Sequence, residues 1–534
     1  MIKHIFVLTV IICLSTDLIY SINHLDIMTS MQGAHNGSYF GYSIATLDFN
    51  HDGFDDLIVC SPEWKSVYPD PVNWPKGRVD IYFGGQNFDN IPDITLLGQY
   101  DFQYMKVDNI GDINGDGFDD LYIRGKEQPG NIGTPYLRIY TGSNTVPIEP
   151  DVLIPYSLPT GRTLYQVVQL GDVNGDGYDD IGFSIDSSTI PGALIYNIVW
   201  GNSLVAEYIT TSCAYTVSHT YGFSGIGDIN NDGYDDFAIG YTYDDPYLGY
   251  HLITIYYGNA AGTFDDQIVL TQTQSGISKI CIPLGDINGD GIDDFMGYQS
   301  FAGLNVWFGA TVIDTNPNIM LTPAFQGGED GLGLKHGDIN NDGYQDIVGT
   351  DYFDNEFCVW MGRPFINGVN DLIVYCPGIP SNPLDYFGYA LTMGDYNADG
   401  CSDVAISAPF TDNTLLPDYR GYVYIYAGNT DFVSNDDPSS PVLPNQFCFS
   451  VYPNPARVHD NFVTLKIKNI RDNINPVEIS IFNIRGQCVQ HNQMSQSLFS
   501  TQYYLDVSKL NSGIYICKVR VGSHFDLHKI SIIK

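Results

Sequence analysis

Three features of the sequence predict an all-β fold, a seven-bladed β-propeller followed by a small β-sandwich tail domain. Seven copies of one acidic nonapeptide begin at Asp48, Asp112, Asp172, Asp228, Asp286, Asp338 and Asp395, spaced 52 to 64 residues apart. Short apolar, β-branched runs bounded by Gly, Pro and Ser flank the copies, as in Leu57-Ile58-Val59-Cys60 and Val404-Ala405-Ile406-Ser407; such runs read as strands. Beyond residue 446 the composition turns from acidic to basic while the strand pattern continues.

Each copy reads Asp-x-Asn-x-Asp-Gly-x-x-Asp. The side chains at position 1 (Asp48, Asp112, Asp172, Asp228, Asp286, Asp338, Asp395), position 3 (Asn50, Asn114, Asn174, Asn230, Asn288, Asn340, Asn397) and position 5 (Asp52, Asp116, Asp176, Asp232, Asp290, Asp342, Asp399) all offer oxygen. Position 9 (Asp56, Asp120, Asp180, Asp236, Asp294, Asp346, Asp403) adds a carboxylate, and position 7 (Phe54, Phe118, Tyr178, Tyr234, Ile292, Tyr344, Cys401) adds a backbone carbonyl. Calcium takes about six to eight oxygens in flexible geometry, so one loop can wrap one hard cation, with up to seven structural Ca²⁺ in all. Glycine at position 6 permits the tight turn, and the apolar residue at position 2 is expected to anchor the loop in the core.

An EF-hand opens similarly but closes with a Glu at position 12 between helices. Here position 12 reads Val59, Ile123, Phe183, Ile239, Gly297, Gly349 and Ile406, and strands flank the loop. A single copy would also fit an ion-free polar turn. Across the copies position 9 is always Asp while position 8 drifts (Asp119, Asp235, Gln345, Ser402). Constancy at the ligand and not at its neighbour favours metal.

The elements follow in order along the chain. Met1 to His4 and the apolar run Ile5 to Cys13 fit a secretory signal peptide over residues 1–21. Val10-Ile11-Ile12 lacks the small residue favoured before a lipidated cysteine, so no lipid anchor is expected. No later segment carries about 18 unbroken apolar residues, so no transmembrane segment is expected in the mature chain.

Residues 22–433 then repeat one unit. A first strand enters through an aromatic-Gly step (Tyr39-Phe40-Gly41-Tyr42, Tyr386-Phe387-Gly388-Tyr389), and the acidic loop, a second strand and a variable loop follow. A third strand ends in Gly84, Gly142, Gly201, Gly258, Gly309, Gly362 or Gly428, and a fourth follows in six units, for example Ile94 to Leu97. Four strands per unit at this period predict propeller blades. The seventh unit lacks a fourth strand, and a matching strand at residues 24–30 is expected to complete it, hiding open sheet edges.

Residues 434–446, with Ser439-Ser440-Pro441 and Pro444, form a linker. Residues 447–534 alternate as strands over Val463 to Ile467, Val477 to Phe482, Ile514 to Val519 and Lys529 to Ile533.

The 534 residues carry a net charge of −39. Residues 447–534 hold 10 Lys and Arg against 5 Asp and Glu, leaving 13 basic against 57 acidic groups in the first 446 residues. Nucleic acid is excluded as a partner for so acidic a surface. Nine cysteines follow the leader, without CxxC, which fits buried thiols better than a disulfide framework or zinc site; a local Cys358–Cys376 pair stays open.

The Phe-Gly openings, Ser61-Pro62 and Ala408-Pro409 after the second strands, and the seven Asp loops resemble FG-GAP repeats of the integrin α-subunit propeller over about residues 22 to 430. Phe102-Gln103, Leu164-Tyr165 and Ser278-Lys279 depart from Phe-Gly in the middle units. The resemblance implies Ca²⁺ in the loops, on the face opposite the ligand-binding loops. Tyr452-Pro453-Asn454-Pro455, Ile481 to Gly486, Leu510 to Tyr515 and a terminal Lys-flanked strand resemble the C-terminal sorting domain of type IX secretion cargo. This implies interaction with that machinery, passage across an outer membrane, and a secreted or cell-surface product.

Catalytic motifs are lacking: there is no HExxH, GxSxG or Gly-rich phosphate loop, and His51 occupies an outward slot of the first loop. The loops after the second strands carry Trp64, Tyr68, Trp74, Tyr241, Tyr243, Tyr247, Tyr352, Phe353, Phe410 and Tyr419. Such aromatics could stack on sugars or anchor a protein, or pack the loops against one another. A non-enzymatic adhesion or glycan- or protein-binding module is the first expectation. A polysaccharide lyase or glycoside hydrolase using loop acids such as Asp186 or Asp351, and a structural surface-layer component, are the alternatives.

Overall fold

The computed structural model describes residues 25–35, 37–64, 77–98, 106–125, 136–142, 152–155, 164–186, 193–203, 210–211, 217–218, 220–243, 250–264, 267–272, 281–299, 303–321, 333–351, 355–366, 368–376, 386–410, 419–432, 448–452, 456–457, 462–468, 477–483, 488–494, 502–521 and 524–533. The expected signal peptide and linker lie outside them. Every strand or helix among the described residues is a strand, and no helix is long and apolar enough to cross a membrane. The chain divides into two compact units, Met1–Ser434 and Asn435–Lys534.

In the first unit the described strands form seven sheets, each an antiparallel meander of at least four strands. The first sheet runs Ser43–Leu47, Asp56–Ser61, Arg78–Tyr82, Ile94–Leu97. Its second strand is buried at every residue because another sheet covers each face. Its outermost strand alternates, with Ile94 and Leu96 inward and Thr95 and Leu97 outward, the period-2 pattern of a half-covered edge.

The next five sheets repeat this order between Lys106 and Tyr375, the third carrying two short outer strands in place of one. The seventh consists of Leu391–Gly394, Asp403–Ala408 and Tyr422–Tyr426, and its fourth strand is Ile27–Gln32 from the other end of the unit. Met31 pairs with Val423 and Ser30 with Tyr424 in antiparallel register.

Between sheets lie apolar cores of fully buried side chains. One packs Leu47, Ile58 and Val79 against Val107, Leu121 and Tyr140. Another joins the seventh sheet to the first, bringing Met31, Ala405, Val423 and Ile425 against Ile44, Leu57, Val59 and Tyr82. Among the described residues seven such cores lie between the sheets.

The second unit has a three-stranded sheet, Cys448–Tyr452, Phe462–Lys468 and Gln502–Asp506, and a five-stranded sheet built on Val477–Asn483, Gly513–Val521 and His524–Ile533. Ile479, Ile481, Leu505, Val507, Cys517 and Val519 are among its buried apolar residues. Cys60, Cys281, Cys358, Cys401 and Cys517 are buried, and no disulfide joins Cys358 to Cys376.

Candidate metal centres

All seven acidic loops are described, and each links a first strand to a second at the same end of its sheet. Position 2 fixes the loop to the core: Phe49, Ile113, Val173, Ile229, Ile287, Ile339 and Tyr396 are fully buried. The position-2 N–H donates to one oxygen of the position-9 carboxylate, from Phe49 to Asp56 at 3.0 Å and from Tyr396 to Asp403 at 3.2 Å. The other oxygen accepts from the glycine that ends the third strand, Gly84 to Asp56 at 2.8 Å and Gly201 to Asp180 at 2.9 Å. One buried carboxylate therefore ties together the start of the loop, its end and a neighbouring strand.

The remaining oxygens converge on the turn. Asp52 N–H donates both to Asp48 Oδ1 at 3.1 Å and to Asn50 Oδ1 at 3.0 Å, Gly53 N–H reaches Asp48 Oδ2 at 2.9 Å, and Phe54 N–H reaches Asp52 Oδ1 at 3.0 Å. The bonds to the position-1 and position-5 carboxylates recur in the last loop, to Asp395 and Asp399. The position-3 amide also reaches neighbouring carboxylates, from Asn50 Nδ2 to Asp52 at 3.1 Å and from Asn397 Nδ2 to Asp403 at 3.3 Å.

Burial pushes the position-9 carboxyls up, to about 8 in Asp56, Asp120, Asp180 and Asp236 and to about 7 in Asp294 and Asp403, with Asp346 also raised. The glycine amide opposes the shift and the carboxylates of positions 1 and 5 add to it. An opposite charge in the loop would favour the ionised form. Among the described residues no three Asp, Glu, His or Cys side chains already surround a common point as metal ligands, because the carboxylates are turned onto amides of their own loop and position 3 is Asn. The donor chemistry fits a hard divalent cation: oxygen donors only, spaced two residues apart, with a buried carboxylate that burial alone disfavours. Positions 1, 3, 5 and 9 with the position-7 carbonyl would hold it.

Consecutive loops also hold one another, which the drift at position 8 conceals. Asp112 N–H donates to Asp179 at 2.9 Å, Asp172 to Asp235 at 2.8 Å, Asp228 to Asp293 at 3.2 Å and Asp395 to Asp55 at 2.8 Å. Each time position 8 of one loop accepts from position 1 of the loop before it. Position-7 side chains pack in the same direction: a Cβ on Gly115, Gly175 or Gly289 would fall 2.4, 2.4 or 2.2 Å from the ring of Tyr178, Tyr234 or Tyr344. His51 is exposed in its outward slot and meets the Phe118 ring at 4.9 Å. The signal was present in the sequence, since five of the seven position-8 residues are Asp and each Tyr at position 7 follows a loop with Gly at position 4.

At the opposite end of the strands the aromatics divide. Tyr68, Trp74, Tyr247, Tyr352 and Phe353 lie outside the described residues, and Tyr241 and Tyr243 sit on the strand Asp236–Tyr243, paired with Leu252 and Tyr250. Trp64 stacks on His35 at 6.2 Å. Phe410 meets Tyr39, Tyr386 and Tyr389 edge-on at 5.2 to 5.4 Å, and Tyr419 stacks on Tyr39 at 5.7 Å. With Tyr42 they form a half-buried group bridging the first and seventh sheets. Tyr39, Tyr386 and Tyr419 have φ of 53°, 50° and 43°, a conformation costly for bulky side chains and concentrated at ligand clamps and other special sites. Burial raises the Tyr39 hydroxyl pKa, with Glu63 and Tyr419 contributing. Tyr39, Tyr42, Tyr386 and Tyr389 were not among the expected ligand residues, although both Phe-Gly steps place aromatics on either side. Of the loop acids, Asp351 is buried at its strand end, paired across the hairpin with buried Glu356.

Comparison with known proteins agrees with this architecture. The FG-GAP repeat family matches residues 40–71 and 387–426, and the FG-GAP-like repeat family matches 112–183 and 228–296. The secretion system C-terminal sorting domain matches residues 450–534. Integrin alpha-5 of Xenopus laevis is 26% identical over 171 residues, 30% of this chain and 16% of that protein. Integrin alpha-6 of Homo sapiens is 31% identical over 163 residues, 29% of this chain and 13% of that protein. Integrin alpha-8 of Mus musculus is 26% identical over 265 residues, 44% and 22% of the two. The chain thus spans less than a quarter of these relatives. It is an all-β protein of repeated four-stranded sheets. Residues 40–71, 112–183, 228–296 and 387–426 match FG-GAP and FG-GAP-like repeats and are similar to integrin α-subunits, and residues 450–534 match a type IX sorting domain, which directs the protein to the cell surface or the medium.

Proposed function

We propose that residues 22–433 form a closed seven-bladed propeller whose loops hold structural Ca²⁺, and that the opposite end serves a non-enzymatic adhesion or glycan- or protein-binding role outside the cell. The tail engages the type IX machinery and is removed on the way out. Closure is supported by the seventh apolar core, by Ile27–Gln32 pairing with Tyr422–Tyr426, and by the bond from Asp395 to Asp55. Calcium is supported by the seven equivalent oxygen-donor loops.

The observation that carries the binding role is the aromatic group at the end away from the loops, with three tyrosines in left-handed conformation. Rigid, half-exposed tyrosines present apolar faces and hydroxyls together, which suits sugar rings and protein anchors. The test is a glycan and matrix-protein array with the calcium-loaded protein, run beside reducing-sugar release from the same polysaccharides. Retention that falls in Tyr419→Ala without sugar release is expected. Sugar release would move the assignment to a glycosidase or lyase, and no retention on any surface would leave a structural role.

A further inference from the structure

We infer that five of the seven cation sites are shared between two blades: the position-8 carboxylate of the next blade is a positioning residue for the loop before it, so the seven sites fall into five tighter and two weaker. This rests on the calcium reading above.

The loops beginning at Asp112, Asp172, Asp228 and Asp395 receive the carboxylates of Asp179, Asp235, Asp293 and Asp55 on the position-1 N–H. Asp119 accepts from the Asp48 amide in the same way. The loops beginning at Asp286 and Asp338 meet Gln345 and Ser402 instead; they keep the backbone bond, from Gln345 N–H to the Asp286 carbonyl at 3.1 Å and from Ser402 N–H to the Asp338 carbonyl at 2.7 Å, that Asp179 and Asp235 also make to Asp112 and Asp172, and differ in the position-8 carboxylate alone. The Gln345 side chain is turned to His336 at 3.1 Å.

The bonded amide belongs to the residue whose side chain is the first ligand. A charge-assisted bond to that amide fixes the ligand's backbone before the cation arrives, and fixing a loop in its bound form lowers the entropy lost on binding. It also brings one more negative charge close to the site. Cation affinity in oxygen loops follows charge and rigidity, so the five carboxylate-held loops bind calcium about tenfold more tightly than the two others.

The test is calcium titration of the chelator-stripped full chain by calorimetry, counting the ions in each affinity class. Wild type is expected to show five tight and two weak sites. Asp179→Ala moves one site, that of the Asp112 loop, from the tight to the weak class. Asp179→Asn keeps an acceptor for the amide but not the charge, and leaves the site between the two classes. Gln345→Asp supplies the missing carboxylate to the Asp286 loop and raises the tight class to six, a gain that loss of folding cannot mimic. Seven equal sites in wild type, an unchanged tight class in Asp179→Ala, loss in Asp179→Asn equal to that in Asp179→Ala, or no gain in Gln345→Asp overturns the inference alone. No calcium binding by wild type removes the calcium reading and the inference together.

Discussion

The backbone N–H of Asp395 donates to the carboxylate of Asp55 at 2.8 Å, joining residues 340 positions apart. The same bond joins Asp112 to Asp179 and Asp172 to Asp235 between sheets adjacent in sequence. Sheet seven thus makes to sheet one the bond that sheets adjacent in sequence make to each other. Gly85 N–H repeats the message on the Tyr396 carbonyl at 2.9 Å, as Asn202 does on Ile113. Thr46 and Thr392 hydroxyls lie 2.7 Å apart on the two first strands.

The seam depends on the strand borrowed from the start of the unit. Met31 is buried in the core shared by sheets seven and one. Met31→Ala removes that packing and is expected to cost about 2–5 kcal/mol, the range for truncating a buried Met. Urea denaturation of both proteins in calcium measures it. A loss under about 0.5 kcal/mol would mean that the strand does not hold the seam.

Calcium withdrawal should destabilise the repeat unit through mass action. A ligand present at ten times its Kd adds about 1.4 kcal/mol per site, and extracellular calcium sites have Kd values of about 10⁻⁴ to 10⁻³ M. With several sites the loss reaches several kcal/mol, so a chelator should lower the melting temperature by about 10 °C or more. Elemental analysis of the purified protein should find calcium. An unchanged melt with no bound metal would end the calcium assignment.

Much of this was legible because the chain repeats itself. The nonapeptide, the Gly at the end of each third strand and the buried position-2 residue recur seven times, so loop, strand order and anchor could be read without coordinates. Position 8 was not legible in that way. Its partner lies in another repeat, Asp112 for Asp179, and comparing copies at one position cannot expose a bond between two different positions of neighbouring copies. The aromatic group is obscure for a similar reason: Tyr39 and Phe410 meet only because the last sheet lies beside the first.

The position-9 carboxyls set a pH dependence for the calcium-free protein. Burial lifts Asp56, Asp120, Asp180 and Asp236 to about 8 from an ordinary value near 3.8. Between those limits the folded state binds more protons than the unfolded, so stability falls as pH rises. Protein stripped of calcium by dialysis is expected to melt lower at pH 8 than at pH 5.5, and saturating calcium should shrink the difference. A calcium-free melting temperature that rises over this range would contradict the assignment of these buried acids.

Contact between loops can be tested without any metal. Gly175 and Gly177 share one loop and both have positive φ, 72° and 90°, so alanine at either is strained. They differ in surroundings: a Cβ on Gly175 meets the Tyr234 ring at 2.4 Å, whereas one on Gly177 meets nothing within 4 Å. Gly177→Ala should cost about 1 kcal/mol from backbone strain alone, and Gly175→Ala about 1–3 kcal/mol more from overpacking. Adding Tyr234→Ala should recover most of that excess, because the two changes meet at one contact and are not additive. Chemical denaturation in chelator of wild type, Gly175→Ala, Tyr234→Ala and the double variant closes the double-mutant cycle, with Gly177→Ala measured beside them. Equal losses for the two glycines, or strictly additive losses with Tyr234→Ala, would show that the Tyr234 ring does not bear on the loop before it.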